Sequence, residues 1–151
     1  MKRVNIYIAV NSGNTRKSKK RYGYILECEI GGAAYTREGF GECEETYHGA
    51  TLKALNGALE RINQTCEVHI HTENTFVLNM MEKNLGKWAG NEFKTSKGKP
   101  LENQEEWMQL WKQFVKHLMV EEPGRHAFSN WIQELMADNK RFEEKMGKAH
   151  G

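Results

Sequence analysis

Apolar residues occupy every second position from Val4 to Val10 (VNIYIAV), the period-two pattern of a half-buried strand. Residues 21–30 (RYGYILECEI) and 33–42 (AAYTREGFGE) carry two more strand patterns. Gly31–Gly32 between them is a hairpin signal. Asn11 to Lys20 is polar, and Gly13 and Asn14 make it a turn-rich loop. From about Thr46 to Asn63 the period lengthens, with Leu52, Leu55, Leu59 and Ile62 at helical spacing. Gly49 and Gly57 oppose that helix by about 1 kcal/mol each relative to Ala. Residues 66–71 (CEVHIH) read as a fourth strand. A helix starts near Asn74 and runs to about Met81, with Phe76, Val77 and Met80 on one side. Residues 83–103 are polar, basic and Gly-rich, and no regular element is predicted in them. Glu105–Lys116 is an amphipathic helix carrying Trp107, Leu110, Trp111 and Phe114, and residues 117–121 are a short strand closed by Pro123–Gly124. Ser129 is expected to cap a last helix running to about Lys145.

Three strands, a helix, a strand, helices, a strand and a helix imply an antiparallel meander extended by parallel strands across helical crossovers. The expected class is α/β (α+β), a mixed five-stranded sheet flanked by helices. One domain is expected over residues 1–146, with 147–151 as a frayed tail. No internal repeat or linker interrupts it.

Hydrophobic residues make up 38% of the 151, enough for one modest core. No apolar run approaches the roughly 18 residues of a membrane span. The N-terminus is basic and then apolar, but too briefly for a signal peptide, so it reads as the first strand. No membrane partner is expected. Cys28, Cys43 and Cys66 form no C-x-x-C pair, which suggests reduced thiols in a cytoplasmic protein. The net charge of +2 hides local clusters. Arg16, Lys17, Lys19, Lys20 and Arg21 form one basic run, and Lys83, Lys87, Lys94, Lys97 and Lys99 a looser one. Of 20 acidic residues only Asp138 is Asp; the other 19 are Glu.

The order of elements and several segments resemble bacterial-type ribonuclease H. The stretch CEVHIHTENTFVLN is similar to that family's fourth strand and following helix, where a T-D-S motif ends the strand. FKTSKGKPLENQEEWMQLW resembles the segment after its basic handle. GN, a loop and YGYIL resemble its G-N…Y-G-A-I-L, and TLKALNGALERI resembles its E-L-M-A-A helix. The resemblance runs from about Val4 to Leu135.

It implies a site of four carboxylates, Asp, Glu, Asp and Asp, holding two Mg²⁺ about 4 Å apart to activate water and stabilise the leaving oxygen. Hard Mg²⁺ takes oxygen ligands whose charge offsets its own. By the resemblance these positions fall on Ala9, Thr51, Glu73 and Gln133. Asn11 is a neutral substitute two residues along the first strand. Asp138 lies about 500° around a helix from Gln133, so roughly 140° away, and substitutes poorly. His126 occupies the place of the family's assisting His. Glu73 reads first as a cap of the helix near Asn74 and second as a functional carboxylate. His69 and His71 alternate on one strand face and read as structural. No cofactor is expected, with Glu73 the position for a metal if there is one.

The family grips RNA–DNA hybrid by backbone and 2′-hydroxyl contacts, and cations add affinity by counterion release. Lys87, Trp88, Lys94, Lys97 and Lys99 match the handle region, and Thr46 a phosphate-binding Thr. Asn14, Arg16, Lys17, Lys19, Lys20 and Arg21 add a basic loop. Tyr47 and His48 stand where the family has paired Asn, and Thr75 where it has Gln. Trp88, Trp107 and Trp111 read chiefly as packing residues. The expectation is therefore a catalytically inactive ribonuclease H-like domain that binds RNA–DNA hybrid or other nucleic acid. The alternatives are an active ribonuclease H with a rearranged Mg²⁺ or Mn²⁺ site, and a domain that engages a protein partner.

Overall fold

The computed structural model describes residues 1–150, with side chains through Gly147. Strand β1 (Lys2–Val10) pairs antiparallel with β2 (Ser18–Ile30), which pairs antiparallel with β3 (Ala33–Glu45). β4 (Cys66–Thr72) joins β1 in parallel and β5 (Leu118–Pro123) joins β4 in parallel. The order β3-β2-β1-β4-β5 is the predicted mixed sheet, meander plus parallel additions. Gly31 and Gly32 turn the hairpin at φ +59° and +83°, a region L side chains rarely enter. β2 and β3 are longer than the alternation suggested. Pairing of Ser18 with Glu45 draws Ser18, Lys19 and Lys20 out of the expected loop and into β2.

The even-numbered residues of β1 face helix α1 (Tyr47–Leu59). Val4, Ile6 and Ile8, with Val68 and Ile70 of β4, pack against Leu52, Leu55 and Leu59. All three leucines are fully buried, each stabilising by about 1.5–3 kcal/mol. That outweighs the cost of Gly49 and Gly57, so the helix forms despite them. Gly49 also fits closely, because a Cβ there would lie 2.5 Å from Glu45 Oε2.

On the opposite face Tyr7, Ala9, Ile25 and Phe40 meet Ile132, Leu135 and Met136 of α5 (Ser129–Ala137) and Phe142 of α6 (Asn139–His150). The single last helix expected from Ser129 to Lys145 is two. Asp138 is extended (φ −98°, ψ 101°), and its carboxylate accepts the Arg141 N–H at 3.2 Å. A short polar side chain bonding its own backbone competes with helix continuation. Helix α6 runs to His150, past the expected boundary at Met146; Gly151 lies outside the described residues.

Two expected caps also move. Ser129 is the first residue of α5, and its hydroxyl accepts the His126 N–H at 2.8 Å. Glu73 does not cap α2 (Thr75–Lys83). Asn74 does, its Oδ1 accepting the Val77 N–H at 3.1 Å.

The polar stretch after α2 contains an unpredicted helix, α3 (Leu85–Gly90), anchored by fully buried Leu85. Trp88 of α3 meets Trp107 of α4 (Gln104–Phe114) edge to face at 4.9 Å, and Trp111 stacks on Phe114 at 5.7 Å. The tryptophans pack, as expected. No helix among the described residues is long and apolar enough to cross a membrane.

Candidate functional site

The four positions matched to carboxylates lie on β1, α1, the end of β4 and α5. Ala9 presents a methyl in the core beneath α5. Beside it, Gln133 Nε2 donates to Val10 O at 3.0 Å, so this amide closes onto β1. Thr51 is fully buried; its Oγ1 donates to Tyr47 O at 2.9 Å and accepts from Asn74 Nδ2 at 3.0 Å. Glu73 alone keeps a carboxylate. Its side chain is half exposed, and the nearest cation is Arg125, 3.9 Å away.

The neutral substitute Asn11 and the assisting-His candidate His126 are occupied as well. Asn11 Oδ1 accepts the Arg21 N–H at 2.9 Å and Asn11 N donates to Arg21 O at 3.0 Å, so Asn11 continues the β1–β2 pairing. His126 Nε2 donates to Ile8 O at 2.8 Å and its Nδ1 accepts the Phe128 N–H at 3.2 Å, which sets the tautomer. Burial pushes its pKa below the ordinary histidine value, with the Ile8 carbonyl and Glu73 opposing. Asp138 caps α6, as described, and lies outside this group.

Asn74 joins these elements, a central role that the sequence reading does not assign to it. It caps α2, holds Thr51, and pairs with His48 Nδ1 at 3.1 Å. An Asn just before an apolar-periodic run was the available signal. His48 in turn stacks on Phe76 with ring centroids 4.2 Å apart, and Tyr47 is 5.8 Å from His48.

The basic residues divide sharply. Lys20 is fully buried, and its ammonium donates to Glu45 O (2.6 Å), Arg16 O (2.8 Å) and Ser18 Oγ (2.8 Å). It is not a surface cation. Arg21 donates to Met136 O at 2.7 Å, pairs with Glu42 at 3.2 Å and lies 4.3 Å over the Phe142 ring. It clasps the α5–α6 elbow and is likewise withdrawn from the expected set. Lys19 is exposed and pairs with Glu42 at 3.3 Å. Arg16 and Lys17 are exposed on the loop, where Asn14 accepts the Arg16 N–H at 2.8 Å. Lys87, Lys97 and Lys99 are exposed, and Lys94 pairs with Glu92 at 3.1 Å. Thr46 is buried as the cap of α1, its Oγ1 accepting from Gly49 N and donating to Asn103 Oδ1. The depression beside it holds Lys17 but also Glu45, Glu102, Glu105 and Glu106, a poor seat for a phosphate.

His69 has carboxylates on both nitrogens, Glu67 at 2.6 Å and Glu122 at 3.0 Å, and His71 Nε2 meets Asn5 Oδ1 at 2.9 Å. Both are engaged within the sheet. Among the described residues no three or more His, Cys, Asp or Glu side chains converge as a metal-ligand group.

The RNase H family model matches residues 1–122. Ribonuclease H of Rhizobium meliloti (strain 1021) is 36% identical over 90 residues, 60% of this chain and 53% of the relative. Ribonuclease H of Caldicellulosiruptor saccharolyticus is 29% identical over 121 residues, 80% of this chain and 78% of that one. The chain spans about half the length of the first of these curated relatives. LC9-RNase H1, described as a type 1 RNase H with the type 2 active-site motif, superposes with TM-score 0.75 at 17% identity, covering 96% of this chain and 74% of that one. The foamy viral protease-reverse transcriptase in complex with RNA/DNA hybrid superposes with TM-score 0.64 at 18% identity, covering 94% of this chain and 20% of that one. At these identities the superpositions speak to the fold.

Proposed function

This chain belongs to the ribonuclease H family, and from that premise we propose that it is a catalytically inactive member that binds nucleic acid. One observation carries the reading: at the four positions matched to metal-binding carboxylates stand a buried methyl, a hydroxyl and an amide already hydrogen-bonded within the protein, and one exposed carboxylate. Such a donor set does not fit two Mg²⁺. One carboxylate supplies about −1 against +4, and Ala9 has no donor atom. Exposed Arg16, Lys17, Lys87, Lys97 and Lys99 support electrostatic affinity for a phosphate backbone. Cys28, Cys43 and Cys66 are all free thiols, which supports a reducing, cytoplasmic setting.

The test is a cleavage assay on labelled RNA–DNA hybrid with Mg²⁺ or Mn²⁺, beside a binding titration at low salt. The expected result is binding that weakens steeply with salt, and intact RNA. Metal-dependent cutting that disappears in Glu73→Gln would overturn the catalytic half of the reading. Absence of binding at low salt would overturn the other half.

A further inference from the structure

Beside the exposed loop of Arg16 and Lys17 lies a surface that is aromatic. Tyr47 and His48 open α1, and Phe76 lies in the first turn of α2. The His48 and Phe76 rings are 4.2 Å apart and 23° from parallel, and Phe76 is still 45% exposed. A cavity of about 150 Å³ adjoins them, lined by His48, Phe76, Trp88, Leu101, Asn103 and Trp107, with Glu102 as the carboxylate of its wall. It is smaller than the roughly 300 Å³ at which drug-sized pockets begin.

An exposed aromatic held in place by a second ring is an expensive way to cover water-facing surface. Phe76 would be more comfortable buried, and its neighbours do not bury it. Burial pushes the His48 pKa down, opposed by Asn74 and Glu102, which favours the uncharged ring. A basic loop adjoins the platform. The loop bearing Arg16 and Lys17 is tied to it through the Tyr47 N–H, which donates to Asn14 O at 3.1 Å.

Aromatic faces beside a basic loop suit a strand whose bases are free to lie flat on them. In a duplex the base faces are already stacked on one another, and only edges and backbone are offered. Resting on the nucleic-acid reading above, we infer that the Tyr47–His48–Phe76 platform stacks unpaired bases, so that single-stranded nucleic acid or a strand end is the preferred ligand over continuous duplex.

The experiment measures fluorescence anisotropy at low salt with three probes: a labelled thymine oligonucleotide, the same strand with abasic sugars, and an RNA–DNA hybrid of equal length. The base-bearing strand is expected to bind about tenfold more tightly than the abasic one, with quenching of Trp88 and Trp107 fluorescence. Phe76→Ala and Phe76→Leu should both remove that margin and leave hybrid binding unchanged. Leu preserves apolar bulk without a π-face and guards against a loss of fold. If abasic and base-bearing strands bind alike, or if Phe76→Leu keeps the margin, stacking is refuted while the nucleic-acid reading stands. If none of the three probes binds, both fall together.

Discussion

Lys20 gives the sharpest test of how the basic run divides. Its Nζ donates three hydrogen bonds of 2.6–2.8 Å, two of them to the backbone carbonyls of Arg16 and Glu45, and no part of the residue is exposed. Lys20→Met preserves most of the stem volume and deletes all three bonds. Hydrogen bonds from a charged group contribute about 1.5–3 kcal/mol each, so the gross loss is at least about 5 kcal/mol. Part returns, because an ammonium no longer has to be dehydrated. A net loss of about 2–3 kcal/mol remains, chiefly from two carbonyls left without a donor. In a chain of this size that lowers Tm by roughly 5–10 °C. Lys17→Met, an exposed change, should move Tm by no more than about 1 °C. Nucleic-acid affinity should respond in the opposite order, falling in Lys17→Met and holding in Lys20→Met below its lowered melting point. Thermal melts by circular dichroism and low-salt titrations decide it. If Lys20→Met melts with the parent and loses affinity as Lys17→Met does, Lys20 is a surface cation and the burial argument is wrong.

Asn74→Ala removes the cap of α2 and the bonds to Thr51 and His48. At about 1 kcal/mol for each of the three, the urea midpoint should report a loss of about 3 kcal/mol, and a loss under about 1 kcal/mol would show that the network is incidental. Burial and the neighbouring carboxylate of Glu82 push the Glu121 pKa up from 4.5 to about 7. A carboxyl raised on folding penalises the folded state once ionised, so the penalty is absent below about pH 4.5, grows through that window and is complete above about 7. Glu121→Gln should therefore raise Tm at pH 8 and leave it nearly unchanged at pH 4.5; an equal change at both would contradict the pairing with Glu82.

The strands and most helices were legible because their signals are local. Alternation in β1 and the leucine spacing of α1 each describe one face of one element. The misplaced features depend on partners distant in sequence. Lys20 reads as a surface lysine until Glu45 curls its carbonyl over it, and Arg21 until Met136 and Phe142 close around it. Helix α3 is held by one buried leucine among glycines and lysines, too weak a pattern to register. Glu73 and Asn74 are adjacent polar residues at a helix start, and composition does not choose between them; the geometry gives the cap to Asn74 and leaves Glu73 in solvent. The carboxylate positions were readable only through the family resemblance. The aromatic platform was readable as Tyr47, His48 and Phe76 individually, but Phe76 lies 28 positions beyond His48 in the sequence.

The two faces of the sheet also differ in when they can close. The face under α1 has its main covering once the chain has passed β4. The other face, with Tyr7, Ile25 and Phe40, waits for Ile132, Leu135 and Phe142 in the last two helices. During synthesis the hairpin and β1 therefore carry an uncovered apolar side until nearly the whole chain is available. The elbow at Asp138, clasped by Arg21, is where this late closure is locked. A chain cut before that point would keep its strands and one packed face, yet display a ready surface for self-association.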